Sequence, residues 1–130
     1  MDNIHIKATS KTPAVNFDYA KGLLEISGRS IPENSYQFYD QLLSWLDHYA
    51  TKPQEATTLI FKLDYFNTAS SMYILGILKR VEKIHLESKK EVKVQWFFET
   101  DDEDMLQTGE DLRQVVSIPI ETIEVDADEL

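Results

Sequence analysis

The sequence predicts a single α/β domain, a mixed β-sheet with helices packed on it. Three observations lead there. The 130 residues suit one domain. Residues 14–27 alternate apolar and polar side chains with period two, as a hairpin does. Further along, helically spaced segments alternate with short β-branched and aromatic runs, and the central unit reads strand–helix–strand. Such a unit normally joins parallel strands by a right-handed crossover. An antiparallel hairpin followed by parallel crossovers gives a mixed sheet.

The elements follow in chain order. "NIHIK" is a candidate short strand, and Pro13 marks the start of the next. In "AVNFDYAKGLLEISG", Val15, Phe17 and Tyr19 alternate, then Leu24 and Ile26, with Lys21-Gly22 between the runs. "SIPENSYQFYDQLLSWLDHYATKP" reads as a helix. Pro32 suits its first turn, Asn34 followed by Gln37 resembles a capping box, and Pro53 ends the region. Tyr39, Leu42, Leu43, Leu46 and Tyr49 form its apolar face.

"TTLIFKLDYF" is a buried strand with Leu59, Phe61, Leu63 and Tyr65 on one side and Ile60 on the other. A second helix follows, with Ile74, Ile77, Leu78, Val81 and Ile84 on its core face; "SKKE" closes it. "VKVQWFF" is a strand with Val92, Val94 and Trp96 on one side. "DDEDMLQTGEDLRQVV" is a short third helix, "PIETIEVD" a last strand, and an acidic tail from about residue 126 is read as frayed. There is no internal repeat, linker or low-complexity block, so residues 1–130 form one unit.

Composition narrows the chemistry. With 42% hydrophobic residues, six Phe, six Tyr and two Trp, the chain can build a core. The absence of cysteine excludes a disulfide scaffold, a zinc–thiolate site and a thiol nucleophile. "MDNIHIKATSK" lacks the apolar stretch of a signal peptide. No apolar run approaches the roughly 20 residues of a membrane span. These features predict a cytoplasmic protein that does not engage a membrane. The net charge of −10 is uneven: residues 99–130 hold 12 acidic residues against Arg113 alone. Nucleic-acid binding would need clustered Lys and Arg, so it is not expected. The acidic quarter reads as a solvated face, or alternatively as a docking surface for a basic partner.

Catalytic signatures are absent. His5, His48 and His85 are isolated from one another. There is no G-x-S-x-G elbow, and four glycines leave little room for a phosphate loop. "TDDEDM" lacks the spacing of an EF-hand and suits a helix N-terminus instead. No metal, cofactor or catalytic residue is therefore expected.

The strand–helix junction "FNTASS" stands out. Asn67, Thr68, Ser70 and Ser71 put one amide and three hydroxyls at a helix start. One such residue caps a helix, for about 1 kcal/mol; four exceed that need. A helix N-terminus carries unpaired N–H groups and a positive dipole end, so it tolerates a phosphate. Phosphorylation there adds about −1.5 to −2 charges without unfolding the helix.

Three segments, "SGRSIPENS" (27–35), "FKLDYFNTASS" (61–71) and "VQWFFETDDEDMLQTGED" (94–111), together resemble the SiaC family of bacterial regulatory phosphoproteins. The resemblance runs from about Thr12 to Val125. It implies a fold similar to the STAS-domain anti-sigma-factor antagonists. It implies a phosphoacceptor at Thr68, a serine/threonine kinase of the anti-sigma-factor type that phosphorylates it, and a PP2C-type phosphatase that reverses this. It further implies that the unphosphorylated form activates a diguanylate cyclase, which ties the chain to cyclic di-GMP signalling and biofilm formation. Ala69 and Met72 depart from the Ser and Lys common in the family. Ala69 removes a competing hydroxyl; Met72 removes a cation beside the phosphate. Ser70 and Ser71 remain alternative acceptors. Partner contacts are expected at Asn67, Ser70, Ser71 and Met72, and at Glu33, Asn34 and Ser35 of the "IPENS" segment. The competing readings are a STAS-like interaction or ligand-sensing module not controlled by phosphorylation, and a small enzyme with an activated hydroxyl.

Overall fold

A computed structural model describes all residues, Met1–Leu130. Six strands form one sheet in sequential order: β1 (Ile4–Ile6), β2 (Ala14–Asp18), β3 (Leu23–Ser30), β4 (Ala56–Phe66), β5 (Glu91–Glu99) and β6 (Ile120–Val125). β1, β2 and β3 pair antiparallel, and β3 to β6 pair parallel. Each parallel step is bridged by a helix: α1 (Ser35–Tyr49), α2 (Thr68–Ser88) and α3 (Glu103–Arg113). The mixed sheet with packed helices is as the sequence predicts.

Strand alternation divides the sheet into two faces. Val15, Phe17, Leu24, Ile26, Leu59, Phe61, Leu63, Val92, Val94, Trp96 and Phe98 join the helix residues in one buried core. The opposite face is open and mixed; there Lys62 pairs with Glu25 at 3.7 Å and lies over the Phe97 ring. The five core residues anticipated on α2 are all buried. On α1 the buried set includes Trp45, whereas Leu43 is only half-buried. Trp45 is held by its ring N–H donating to Asp2 O at 2.7 Å.

Several local expectations are corrected. Pro32 precedes the Asn34 N-cap and so lies outside the first turn of α1. Gln37 N donates to Asn34 Oδ1 at 3.0 Å, which is the N-cap half of a capping box. The tail is not frayed, because Ala127–Glu129 form a short 3₁₀ turn. Tyr65 is 53% exposed rather than in the core. A register shift explains it: Gly28 pairs with Leu63 but Arg29 pairs with Tyr65, so β4 carries one extra residue, a bulge. Gly28, at φ +106°, supplies a backbone conformation that other residues rarely adopt. After the bulge, Phe66 takes the inward position and meets Trp96 edge-on at 6.3 Å.

α1 and α2 pack side by side, with Tyr39 stacked on Tyr73 at 5.2 Å and Arg80 bound to Asp47 at 3.0 Å. α3 packs on β5 and β6. The Trp96 ring N–H donates to Met105 O at 2.9 Å, and a Cβ on Gly109 would sit 2.6 Å from Trp96 Cδ1. Only glycine lets α3 approach this closely. All three helices start at the C-terminal ends of parallel strands, so Asn34, Asn67 and Asp102 cap them along one edge of the sheet.

Candidate functional site

The bulge delivers the end of β4 to the start of α2. Asn67 has extended backbone, and its Oδ1 accepts from Ser70 N at 2.9 Å. Its carbonyl accepts from Ser71 N at 3.1 Å, and its own N–H donates to Ser30 O at 3.1 Å. Thus Asn67 is the cap; the residue is half-buried and its side-chain oxygen is committed.

The hydroxyls that follow are in different states. Ser70 is fully buried; its Oγ donates to Ser30 O at 3.0 Å and accepts from Ser30 Oγ at 2.9 Å. Ser30 Oγ in turn meets the Tyr39 hydroxyl at 2.5 Å. With the Ser30 proton given to Ser70, Tyr39 must be the donor to Ser30. Burial pushes the Tyr39 hydroxyl pKa up, and its hydrogen bond to Ser30, with the Ser70 hydroxyl nearby, opposes this only in part, so Tyr39 remains a protonated donor. Ser71 is half-buried, and its Oγ donates to Thr68 O at 2.5 Å. Thr68 is exposed as the first helical residue, and its Oγ1 has no hydrogen-bond partner. The backbone N–H groups of Thr68 and Ala69 likewise meet no acceptor within the chain, as is usual in a first turn.

This corrects one anticipated contact. Ser70 cannot face a partner or an incoming kinase while the turn is folded, because it has no accessible surface and its hydroxyl is bonded on both sides. The other anticipated positions lie at the surface or near it. Met72 is 72% exposed, Glu33 and Asn34 are exposed, and Asn67, Ser71 and Ser35 are half-buried. Pro32, Glu33, Asn34, Gln37 and Phe38 line a surface hollow of about 360 Å³ at the start of α1. Lys11 donates to Glu33 at 2.9 Å and holds its carboxyl below the usual range.

No ion pair reaches residues 67–72. None of the main surface hollows is lined by Thr68, Ser70 or Ser71. The histidines lie elsewhere: His5 binds Asn16, His85 Nδ1 meets Lys90 O at 2.7 Å, and His48 sits by Tyr19 and Thr51. The Thr68 hydroxyl is thus exposed, and no titratable side chain hydrogen-bonds to it. At the far C-terminus, Asp126, Asp128 and Glu129 bring exposed carboxylates within 4.8 Å of one another. No helix is long and apolar enough to cross a membrane.

Sequence reasoning missed Ser30, the centre of the hydroxyl chain. Its signal was indirect: a tyrosine on the core face of α1 needs a partner for its hydroxyl, and Ser30 is the polar residue that ends the β3 run.

Comparison with known proteins adds the family. The model of the SiaC family regulatory phosphoproteins matches residues 6–125. An uncharacterised protein of Pseudomonas aeruginosa strain UCBPP-PA14 is 31% identical over 119 residues, covering 92% of this chain and 94% of its own. The apo-SiaC crystal structure from Pseudomonas aeruginosa superposes with a TM-score of 0.85 at 30% identity, over 95% of this chain and 99% of that one. SiaC in complex with the diguanylate cyclase SiaD, of which it is the activator, superposes at 0.88 and 30% identity, over 94% and 99%. The chain belongs to the SiaC family of regulatory phosphoproteins.

Proposed function

We propose that this chain is a phosphorylation-switched binding protein whose switch residue is Thr68. A kinase of the anti-sigma-factor type transfers phosphate from ATP to Thr68, and a PP2C-type phosphatase removes it. In the cytoplasm the unphosphorylated form binds and activates a diguanylate cyclase, as the SiaC of Pseudomonas aeruginosa is the activator of SiaD. The chain is the substrate of the first two enzymes and the regulator of the third. Cyclic di-GMP output, and with it biofilm formation, then follows the phosphorylation state.

One observation carries this reading. Of the three hydroxyls in the turn, only that of Thr68 is both exposed and without a partner. Its place at a helix start lets a phosphate be added without breaking the helix. Met72, exposed one turn further along α2, offers an apolar contact that a solvated dianion beside it would spoil.

Site-resolved mass spectrometry after incubation with kinase and ATP tests the site. Wild type should carry a single phosphate on Thr68, and Thr68→Ala none. Undiminished incorporation in Thr68→Ala would reject the assignment. In pull-downs with the cyclase, Thr68→Ala should bind as wild type does and Thr68→Asp more weakly. Equal binding of all three, with no phosphate found on wild type, would favour an interaction module that phosphorylation does not control.

A further inference from the structure

We infer that the Tyr39–Ser30–Ser70 hydroxyl chain is a positioning device for phosphotransfer. It clamps the first turn of α2 to the end of β3, presenting the Thr68 hydroxyl and withholding that of Ser70. The inference rests on the Thr68 reading above and assigns to three buried residues a role beyond packing.

Four hydrogen bonds converge on Ser30. Its Oγ receives the Tyr39 proton and passes its own to Ser70; its carbonyl accepts from Ser70 Oγ and from Asn67 N. Every donor in the chain has an acceptor, and no buried polar side-chain atom is left without a partner. Ser30, Tyr39 and Ser70 have no accessible surface, so water does not compete for these bonds. Tyr39 is itself fixed by its stack on Tyr73 and its edge contact with Phe38 at 5.1 Å. An apolar Phe–Ala–Ala trio could fill the same space, but its contacts would allow sliding. The hydroxyl chain specifies one position for the turn, because each bond is directional.

Position matters for the transfer. Thr68 Oγ attacks the γ-phosphorus of ATP; the new O–P bond forms as the bond to ADP breaks, and the hydroxyl proton goes to a base of the kinase. Such in-line attack is sensitive to placement, and a shift of about 1 Å can cost on the order of a hundredfold in rate. A turn held at Ser70 holds Thr68, two residues away.

Tyr39→Phe removes one oxygen and keeps the ring. Its turnover at Thr68 by kinase and ATP should fall roughly tenfold or more. Amide hydrogen exchange of Ser70 and Ser71 should quicken by about tenfold while that of Val81 follows global stability alone. Ile84→Val, which trims the core away from the turn, should phosphorylate as wild type does. Ser30→Ala serves in the same way should Tyr39→Phe not fold. Wild-type turnover in these hydroxyl variants, with Thr68 phosphorylated normally in the parent, overturns the inference and leaves the switch standing. Loss in proportion to stability in Ile84→Val as well also overturns it, since the chain would then only stabilise. Absence of phosphate on wild type overturns the switch itself and this inference with it.

Discussion

At the scale of single residues, the Thr68 turn separates residues that hold the fold from the one that is free. Asn67 satisfies the Ser70 N–H, so Asn67→Ala should cost about 1 kcal/mol in urea unfolding. Thr68→Ala touches no internal hydrogen bond and should change stability by no more than about 0.5 kcal/mol. Ser70→Ala strips a donor and an acceptor from the buried Ser30 and should cost about 1–3 kcal/mol. This ordering, with Thr68 the silent position, is what a modifiable residue on a rigid support requires. Thr68 was singled out in the sequence by the motif around it, and what the structure adds is its exposure. The burial of Ser70 was not. Ser70 and Thr68 look alike as small polar residues two apart, and only the helix phase set by β4 turns one inward and the other out.

At the scale of elements, the decisive features are two irregularities. The bulge opposite Arg29 inserts one residue into β4, which turns Tyr65 outward and Phe66 inward. Strict alternation had placed Tyr65 in the core. Period-two reasoning cannot see an inserted residue, although Gly28 on the partner strand hints at one. The second irregularity is the tight seat of α3 on Trp96. Gly109→Ala should destabilise by about 1–3 kcal/mol, because the added methyl meets an indole fixed by its bond to Met105.

The loop after α3 is also tied to α2. Ser117 N donates to Glu82 Oε2 at 2.6 Å, and Lys79 Nζ donates to Val115 O at 2.6 Å. The Ser117 backbone N–H, its hydroxyl and the Lys79 ammonium hold the Glu82 carboxyl below its ordinary 4.5, against the opposing effect of burial. A depressed folded-state pKa contributes stability that is fully present above pH 4.5 and lost as pH falls through the lowered value. Wild type should therefore be more stable than Glu82→Gln near pH 7, and the gap should close during acid titration below pH 4.5. Chemical denaturation of both proteins across that range is the check.

At the scale of the whole molecule, sequential strand order and three helices on one face put every helix N-terminus on one edge of the sheet. The Thr68 turn and the "IPENS" entry of α1 share that edge and are joined beneath it through Ser30 and Tyr39. The mixed sheet with packed helices was legible, since the central βαβ unit announces itself by its change of hydrophobic period; the strand order and the shared helix face were not. The link between the two turns was not, because it joins residues 40 apart through buried hydroxyls. A switch on this scaffold should alter the surface and spare the fold. Phosphorylated protein should keep its far-ultraviolet circular dichroism spectrum. Its thermal midpoint should move by no more than about 4 °C, as suits a helix-terminus charge effect of about 1 kcal/mol or less.

The most direct measurement is isothermal titration of the diguanylate cyclase with wild-type, Thr68-phosphorylated and Thr68→Ala protein, with cyclic di-GMP production followed in parallel. Unphosphorylated wild type and Thr68→Ala should bind alike and activate the cyclase. The phosphorylated form should bind at least about tenfold more weakly, a difference of about 1.4 kcal/mol, and activate correspondingly less. Equal affinity and equal activation by the phosphorylated protein would contradict the account.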